Sequence, residues 1–360
     1  MKSLGNFPDP FIREINGQPD AIRRAAGALA RQPSSLEQLR AAAADPRPRV
    51  LIFTGMGSSY DACYPAVTEL ATAGIVALHL DTAELLHFRR GLLREDGILL
   101  AISQSGRSAE LIRLAQELAD TRSPVRIVTI TNGGDNPLAE LGDIALDTAA
   151  GDEMGPSTMT FAGSLVVLAA VSSILAGEAP DEVLQRVGEE AEAAASAAER
   201  ILAERSLPDE LVTWLGSRDT LVLLARGPAR AAAEMGALTL KEAVGLPAES
   251  LQAAQFRHGP LELAGPELAA MVFATEPETR DLDMALATDL VVAGAAVLVV
   301  TSGEGGVVAG AMRLSIAPVS RRLAPAVSIL PSQLLAWRLA VLSGREPGSY
   351  VQAAKVTTHE

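Results

Sequence analysis

What most restricts the fold of this chain is a repeated three-part pattern. A short, unbroken apolar run leads into a turn rich in glycine and hydroxyls, and apolar residues at helical spacing follow. Val50-Leu51-Ile52-Phe53 precedes Gly55-Met56-Gly57-Ser58-Ser59 and a helical stretch from Asp61. Ile98-Leu99-Leu100-Ala101-Ile102 precedes Ser103-Gln104-Ser105-Gly106-Arg107-Ser108 and a helix through Leu111, Leu114 and Leu118. Residues 125–130 run into Thr131-Asn132-Gly133-Gly134, and 143–147 read as a fourth, shorter strand. Unbroken apolar runs of this length suit strands buried on both faces, and their alternation with helices predicts a parallel sheet covered on both sides. The second half repeats the plan at 220–225, 269–274 and 295–300. The fold class is therefore α/β, with two tandem doubly wound parallel-sheet domains.

The remaining segments are helical. Residues 10–45 read as short helices broken near Pro19 and Pro33, and 165–204 as long alanine-rich helices linking two halves. This gives an N-terminal helical segment at 1–45, a first domain at 46–204 and a second at 205–360. A length of 360 residues suits two domains of ordinary size. The serine-rich turn of the first half has no serine counterpart at Thr275-Glu276-Pro277-Glu278-Thr279, so a phosphate is expected in the first half.

Composition excludes several classes of function. A net charge of −14 and only 3 % aromatic residues disfavour a nucleic-acid partner, which needs positive charge and stacking surfaces. Cys63 is the single cysteine, so neither a disulfide framework nor a multi-cysteine metal site is expected, and no metal or cofactor is implied. No uninterrupted apolar run approaches the ~20 residues that span a bilayer. The first residues lack the basic-then-apolar pattern of a signal peptide, so the expectation is a cytoplasmic protein with no membrane partner. Lysine occurs only at 2, 241 and 355, so where bare positive charge suffices the chain uses arginine. A retained lysine can mark a place that needs a compact amine able to lose its proton.

Four local patterns could carry chemistry. Residues 103–108 lie between an apolar strand and an amphipathic helix, where free backbone N–H groups and hydroxyls can hold phosphate oxygens. An ordinary serine N-cap fits the same letters. Gly55-Met56-Gly57 lacks the full dinucleotide spacing because position 60 is tyrosine, which leaves a hydroxyl-bearing turn. Lys241-Glu242 is either a solvated pair or part of a site. His258, in Arg257-His258-Gly259-Pro260, is either a surface residue or a proton shuttle, since histidine titrates near neutrality. His79 and His87 lie in or near apolar elements and read as structural, and His359 is terminal. Lys355 sits in the C-terminal tail, where plain disorder is the alternative.

In their order these motifs resemble the tandem SIS (sugar isomerase) domain family, in particular the isomerase half of glucosamine-6-phosphate synthase and free-standing aminosugar-phosphate deaminases and isomerases. The resemblance runs from about residue 45 to the end. It is carried by Gly57-Ser58-Ser59-Tyr60, residues 103–108, Glu153-Met154-Gly155 with Ser157-Thr158, Lys241-Glu242 with Arg257-His258-Gly259-Pro260, and Lys355-Val356-Thr357. It implies two flavodoxin-like domains, a homodimer and a hexose 6-phosphate as the small-molecule partner. Ser103, Gln104, Ser105 and Ser108 would hold the phosphate, with Gly57, Ser58, Ser59, Ser157 and Ala354 completing the binding set. Glu242 would move a proton between sugar carbons 1 and 2. His258, reaching in from the partner subunit, would help open the ring, and Lys355 would contact the open-chain carbonyl.

Two departures shape the expected activity. The synthase begins with a glutaminase domain and its cysteine nucleophile, whereas this chain begins Met1-Lys2, so glutamine hydrolysis is not expected. Position 239, often lysine in the family, is threonine here, which fits an amino sugar phosphate or an amino acid–sugar adduct. The resemblance thus implies a phosphosugar isomerase or aminosugar-phosphate deaminase. Its rivals are a fructosamine-6-phosphate deglycase and a non-catalytic sugar-phosphate-binding regulator.

Overall fold

A computed structural model describes residues 9–44, 48–352, 354–357 and 359. Among these described residues ten strands form two five-stranded sheets, and every pairing is parallel. The first sheet contains β1 (Val50–Gly55), β2 (Ala77–Asp81), β3 (Gly97–Ser103), β4 (Arg126–Thr131) and β5 (Ile144–Asp147), in the order β2-β1-β3-β4-β5. The second contains β6 (Thr220–Ala225), β7 (Ala248–Gln252), β8 (Leu268–Ala274), β9 (Ala296–Ser302) and β10 (Met312–Ile316), in the order β10-β9-β8-β6-β7. The second order is the first one repeated, so the duplicated α/β plan expected from the apolar runs is present.

Burial explains why some strands are plain in the sequence. All seven residues of β3 and all seven of β8 are buried, which demands an apolar side chain at nearly every position. The edge strands differ. None of the five residues of β2 is fully buried, and β7 and β10 each mix exposed with buried positions. These three strands, Ala-Leu-His-Leu-Asp, Ala-Glu-Ser-Leu-Gln and Met-Arg-Leu-Ser-Ile, are the ones the apolar-run reading does not find.

Helices cover both sheets. Leu85, Leu111, Leu114 and Leu118 pack on Ile52, Leu99 and Ile127, and Phe256, Leu286 and Leu290 pack on Val222, Val272 and Val297. The helix Met159–Leu175 is buried along its whole length, as a helix apolar on all sides must be. Pro180 opens the next helix, Pro180–Leu202, where its missing N–H costs nothing. The stretch Ala324–Leu342 is long and apolar enough to cross a membrane by composition alone, but 72 % of its apolar window is buried.

The chain divides into two compact units that do not follow chain order. One comprises residues 20–152, 159–192 and 352–360, around the first sheet. The other comprises residues 1–19, 153–158 and 193–351, around the second.

Candidate active site

In the first sheet the chain reverses its winding direction between β1 and β3, and crevices for ligands form at such switch points, beyond the carboxyl ends of the strands. The turns that follow β1 and β3 are the two that the sequence singles out. Ser103 ends β3 and is 2 % exposed. Its Oγ lies 3.0 Å from Ser108 Oγ and accepts the Gly106 N–H at 3.1 Å, while Ser105 Oγ accepts the Arg107 N–H at 3.1 Å. Ser59 Oγ accepts the Gln104 N–H at 3.2 Å, which sets the first turn directly beside the second. The hydroxyls thus shape the loop internally.

Two glycines make this shape possible. Gly106 has φ of +60°, and a Cβ there would fall 1.8 Å from Asn136 Oδ1. Asn136 is fixed in its turn, accepting the Ala139 N–H at 3.0 Å and donating to Gly133 O at 2.7 Å. At Gly55 a Cβ would stand 2.9 Å from the Tyr60 nitrogen and 3.0 Å from Ile102 O, so only glycine lets the turn fold down on the strand end. Gly57 is exposed, Ser58 is half-buried and opens a one-turn helix, and Ser59 is buried. The His79 ring stacks on Tyr60 with centroids 3.7 Å apart, and its Nε2 lies 2.9 Å from Tyr60 O.

The C-terminal tail belongs to this same unit. The Ala109 N–H, at the start of the helix Ala109–Asp120 that follows the loop, donates to Thr357 O at 3.2 Å. Residues separated by almost 250 positions in sequence are thereby pinned together. Lys355, half-buried, stands two residues before Thr357, and Ala354 is exposed beside it.

The other unit holds a second set of groups. Glu242 lies in the last turn of the helix Arg230–Val244, which Gly245 ends in a left-handed conformation. The Glu242 carbonyl accepts from Arg345 Nη2 at 3.2 Å, and the neighbouring Lys241 is exposed, 3.6 Å from Glu249. Burial is the main influence holding the Tyr350 phenol well above its usual range, and the negative charges of Glu242, Glu153 and Glu14 add to it. Glu14 is 2 % exposed and accepts the N–H groups of Met154 at 2.7 Å and Gly155 at 3.1 Å. Glu153 accepts the Thr158 N–H at 2.7 Å, so the segment that carries half-buried Ser157 is tied at both ends.

Sequence reasoning missed Glu14 and Tyr350. Glu14 falls with Phe11 and Ile15 on the buried face of the helix Pro10–Asn16, and a carboxylate on an apolar face was the available signal. Tyr350 stands outside any periodic pattern and had none. Thr239 is fully buried, and its hydroxyl has no hydrogen-bond partner among the described residues. His258 is exposed in the turn after the helix Ala253–Phe256, and among the described residues its ring has no hydrogen-bond or ion-pair partner.

Comparison with known proteins fits this arrangement. The family model for the SIS domain matches twice, over residues 47–174 and 215–343. The chain belongs to the SIS domain family. Both SIS matches span the sheets described above, and together they take in well over half of the chain. A glutamine–fructose-6-phosphate aminotransferase (isomerizing) from Pyrobaculum aerophilum is 27 % identical over 365 aligned positions, which cover 100 % of this chain and 59 % of that protein. The chain thus spans about three-fifths of the length of that relative. Among solved structures, the C-terminal domain of glucosamine-fructose-6-phosphate aminotransferase from Francisella tularensis superposes with a TM-score of 0.85 at 22 % identity, covering 96 % of this chain and 99 % of that one. Tagatose-6-phosphate ketose/aldose isomerase from Escherichia coli gives 0.78 at 22 % identity, covering 96 % of each chain. These two likenesses show a shared tandem SIS fold.

Proposed function

We propose that this SIS protein is a phosphosugar isomerase or aminosugar-phosphate deaminase acting on a hexose 6-phosphate of the glucosamine 6-phosphate/fructose 6-phosphate type. The single observation that carries the reading is the hydrogen bond from Ala109 to Thr357. It holds the lysine-bearing tail against the start of the helix that follows the serine loop, which supports a site to which both segments contribute. Family members named for glucosamine and tagatose phosphates support the substrate class.

In this reading Ser103, Gln104, Ser105 and Ser108 hold the phosphate, with Gly57, Ser58, Ser59, Ser157 and Ala354 around the sugar. His258 protonates the ring oxygen as the ring opens, and Lys355 contacts the carbonyl of the open chain. Glu242 then takes the proton from C2 of the open 2-amino aldose and returns it to C1, leaving an imine at C2. Water adds to that imine, and ammonia leaves, giving the 6-phospho-ketose. The His258 ring, exposed and without a hydrogen-bond partner among the described residues, supports a homodimer in which each subunit lends its histidine to the other's site. The domain limits 46–204 and 205–360 and a cytoplasmic location complete the proposal.

The test is incubation of purified protein with glucosamine 6-phosphate while ammonia and fructose 6-phosphate are followed. Turnover lost in Glu242→Gln is the expected result. Absence of turnover with this and related phosphosugars would defeat the assignment. One observation favours a second reading. Thr239, in place of the family lysine, is buried on the helix Arg230–Val244, and a threonine there fits an amino acid–sugar adduct as well as an amino sugar phosphate, which keeps a fructosamine-6-phosphate deglycase as the second reading. Release of a free amino acid from a phosphorylated fructosamine, measured side by side with ammonia release, separates the two.

A further inference from the structure

The repeated strand order places a second loop, residues 275–279, at the carboxyl end of β8, in the position that residues 103–108 hold on β3. Its chemistry is different. A cavity of 390 Å³ opens there, between the ends of β8 and β9, and its lining includes Thr275, Glu278, Arg280, Ser302, Pro318 and Val319.

Three observations in this cavity point to a ligand. Thr275 is 6 % exposed and lines the cavity, yet its Oγ1 has no hydrogen-bond partner among the described residues. A buried hydroxyl left unsatisfied is costly and is normally met by protein, water or ligand. Arg280 also lines the cavity, and its guanidinium makes no hydrogen bond or ion pair among the described residues, with Nε buried and unpartnered. Arg280 is, third, the first residue of the 13-residue helix Arg280–Val292, whose opening N–H groups have no partner within the helix. The other arginine is already committed. Arg321 donates to Glu276 Oε2 at 2.7 Å and pairs with Glu278 at 3.1 Å.

We propose that this cavity is a second ligand site, one that binds a small organic monoanion through its carboxylate. The guanidinium of Arg280 takes the carboxylate in a two-pronged contact, Thr275 donates its hydroxyl, and Pro318 and Val319 pack against the apolar body. The charge count selects a monoanion over a phosphate dianion. Among the described residues the Arg280 guanidinium is uncommitted, and the two carboxylates on Arg321 repel a second negative charge. The volume is within the range of ordinary small-molecule pockets. The site is independent of the serine loop and of the catalytic reading above.

The test is calorimetric titration of the full chain with pyruvate, with inorganic phosphate in parallel. The expected result is saturable pyruvate binding that Arg280→Gln weakens about tenfold or more and that Arg280→Lys partly restores, while phosphate fails to compete. Thr275→Val should also weaken pyruvate binding while raising the melting temperature of the ligand-free protein, because it removes the unsatisfied hydroxyl. A purely structural threonine would not give both changes. The proposal is overturned if pyruvate does not saturate, if Arg280→Gln leaves its affinity unchanged, or if Ser105→Ala in the first loop abolishes its binding.

Discussion

The crevices at the ends of β3 and β8 compare two uses of one topology. Both follow a fully buried central strand, and both precede a helix. The first is built from hydroxyls and a glycine with positive φ, and its side chains hold its own backbone. The second is built from charge, with Glu276 and Glu278 on Arg321 and a buried Arg226–Asp283 ion pair close by. The sheet order decides where a crevice forms, and the loop residues decide what it can receive.

The largest test of this contrast is catalytic. Glu242→Gln should lower kcat about 10²- to 10⁴-fold, the usual worth of a positioned general base, while Glu276→Gln, which alters a carboxylate of the second crevice, should leave kcat unchanged. Steady-state assay on glucosamine 6-phosphate checks both, and an equal loss in Glu276→Gln would mean that the second crevice shares in catalysis. Next in size is Gly106→Ala. It forces a side chain into a left-handed conformation against Asn136, so a loss of about 3 kcal/mol of stability and of sugar-phosphate binding is expected from urea melts and titration. Ser103→Ala should be milder. It removes the hydroxyl that accepts from Gly106 and meets Ser108, costing about 1 kcal/mol and raising KM for the sugar phosphate several-fold.

The smallest effect sharpens the second crevice and concerns pH. Burial, only partly offset by Arg321, holds the Glu276 carboxyl above its ordinary value of 4.5. Below that value both folded and unfolded chains carry the proton, and Glu276 contributes no pH dependence. As pH rises through it the unfolded chain ionises first, so the folded state loses stability until the raised folded value is passed. Glu276→Gln removes this loss. Melting curves at pH 4 and pH 7 should show the variant gaining on the parent at the higher pH, and a gain at the lower pH would reverse the assignment.

Legibility followed burial. The central strands could be read because a strand covered on both faces needs an apolar side chain at almost every position, as in Ile98-Leu99-Leu100-Ala101-Ile102. The edge strands β2, β7 and β10 could not, since His79, Glu249 and Arg313 are tolerated where one side meets solvent. The serine loop was legible for a different reason, because its hydroxyls and glycine are required by local backbone geometry. Tyr350 was not, because its setting depends on groups brought from distant segments, Glu153 and Glu242, and of Glu14 only a carboxylate on an apolar helix face could be read, its partners Met154 and Gly155 being remote in sequence.

The sequence by itself determined the duplicated α/β plan, the position of the serine loop and the family, since each rests on contacts among near neighbours or on a motif order. Only the tertiary structure decided that the tail meets the start of the helix after that loop, that Thr239 is sealed in the interior, and that the side chains of Arg280 and Thr275 stand at one cavity without partners among the described residues. Those facts depend on which distant groups pair and which are left over, and pairing over long separations is a property of the packed chain that no local pattern encodes.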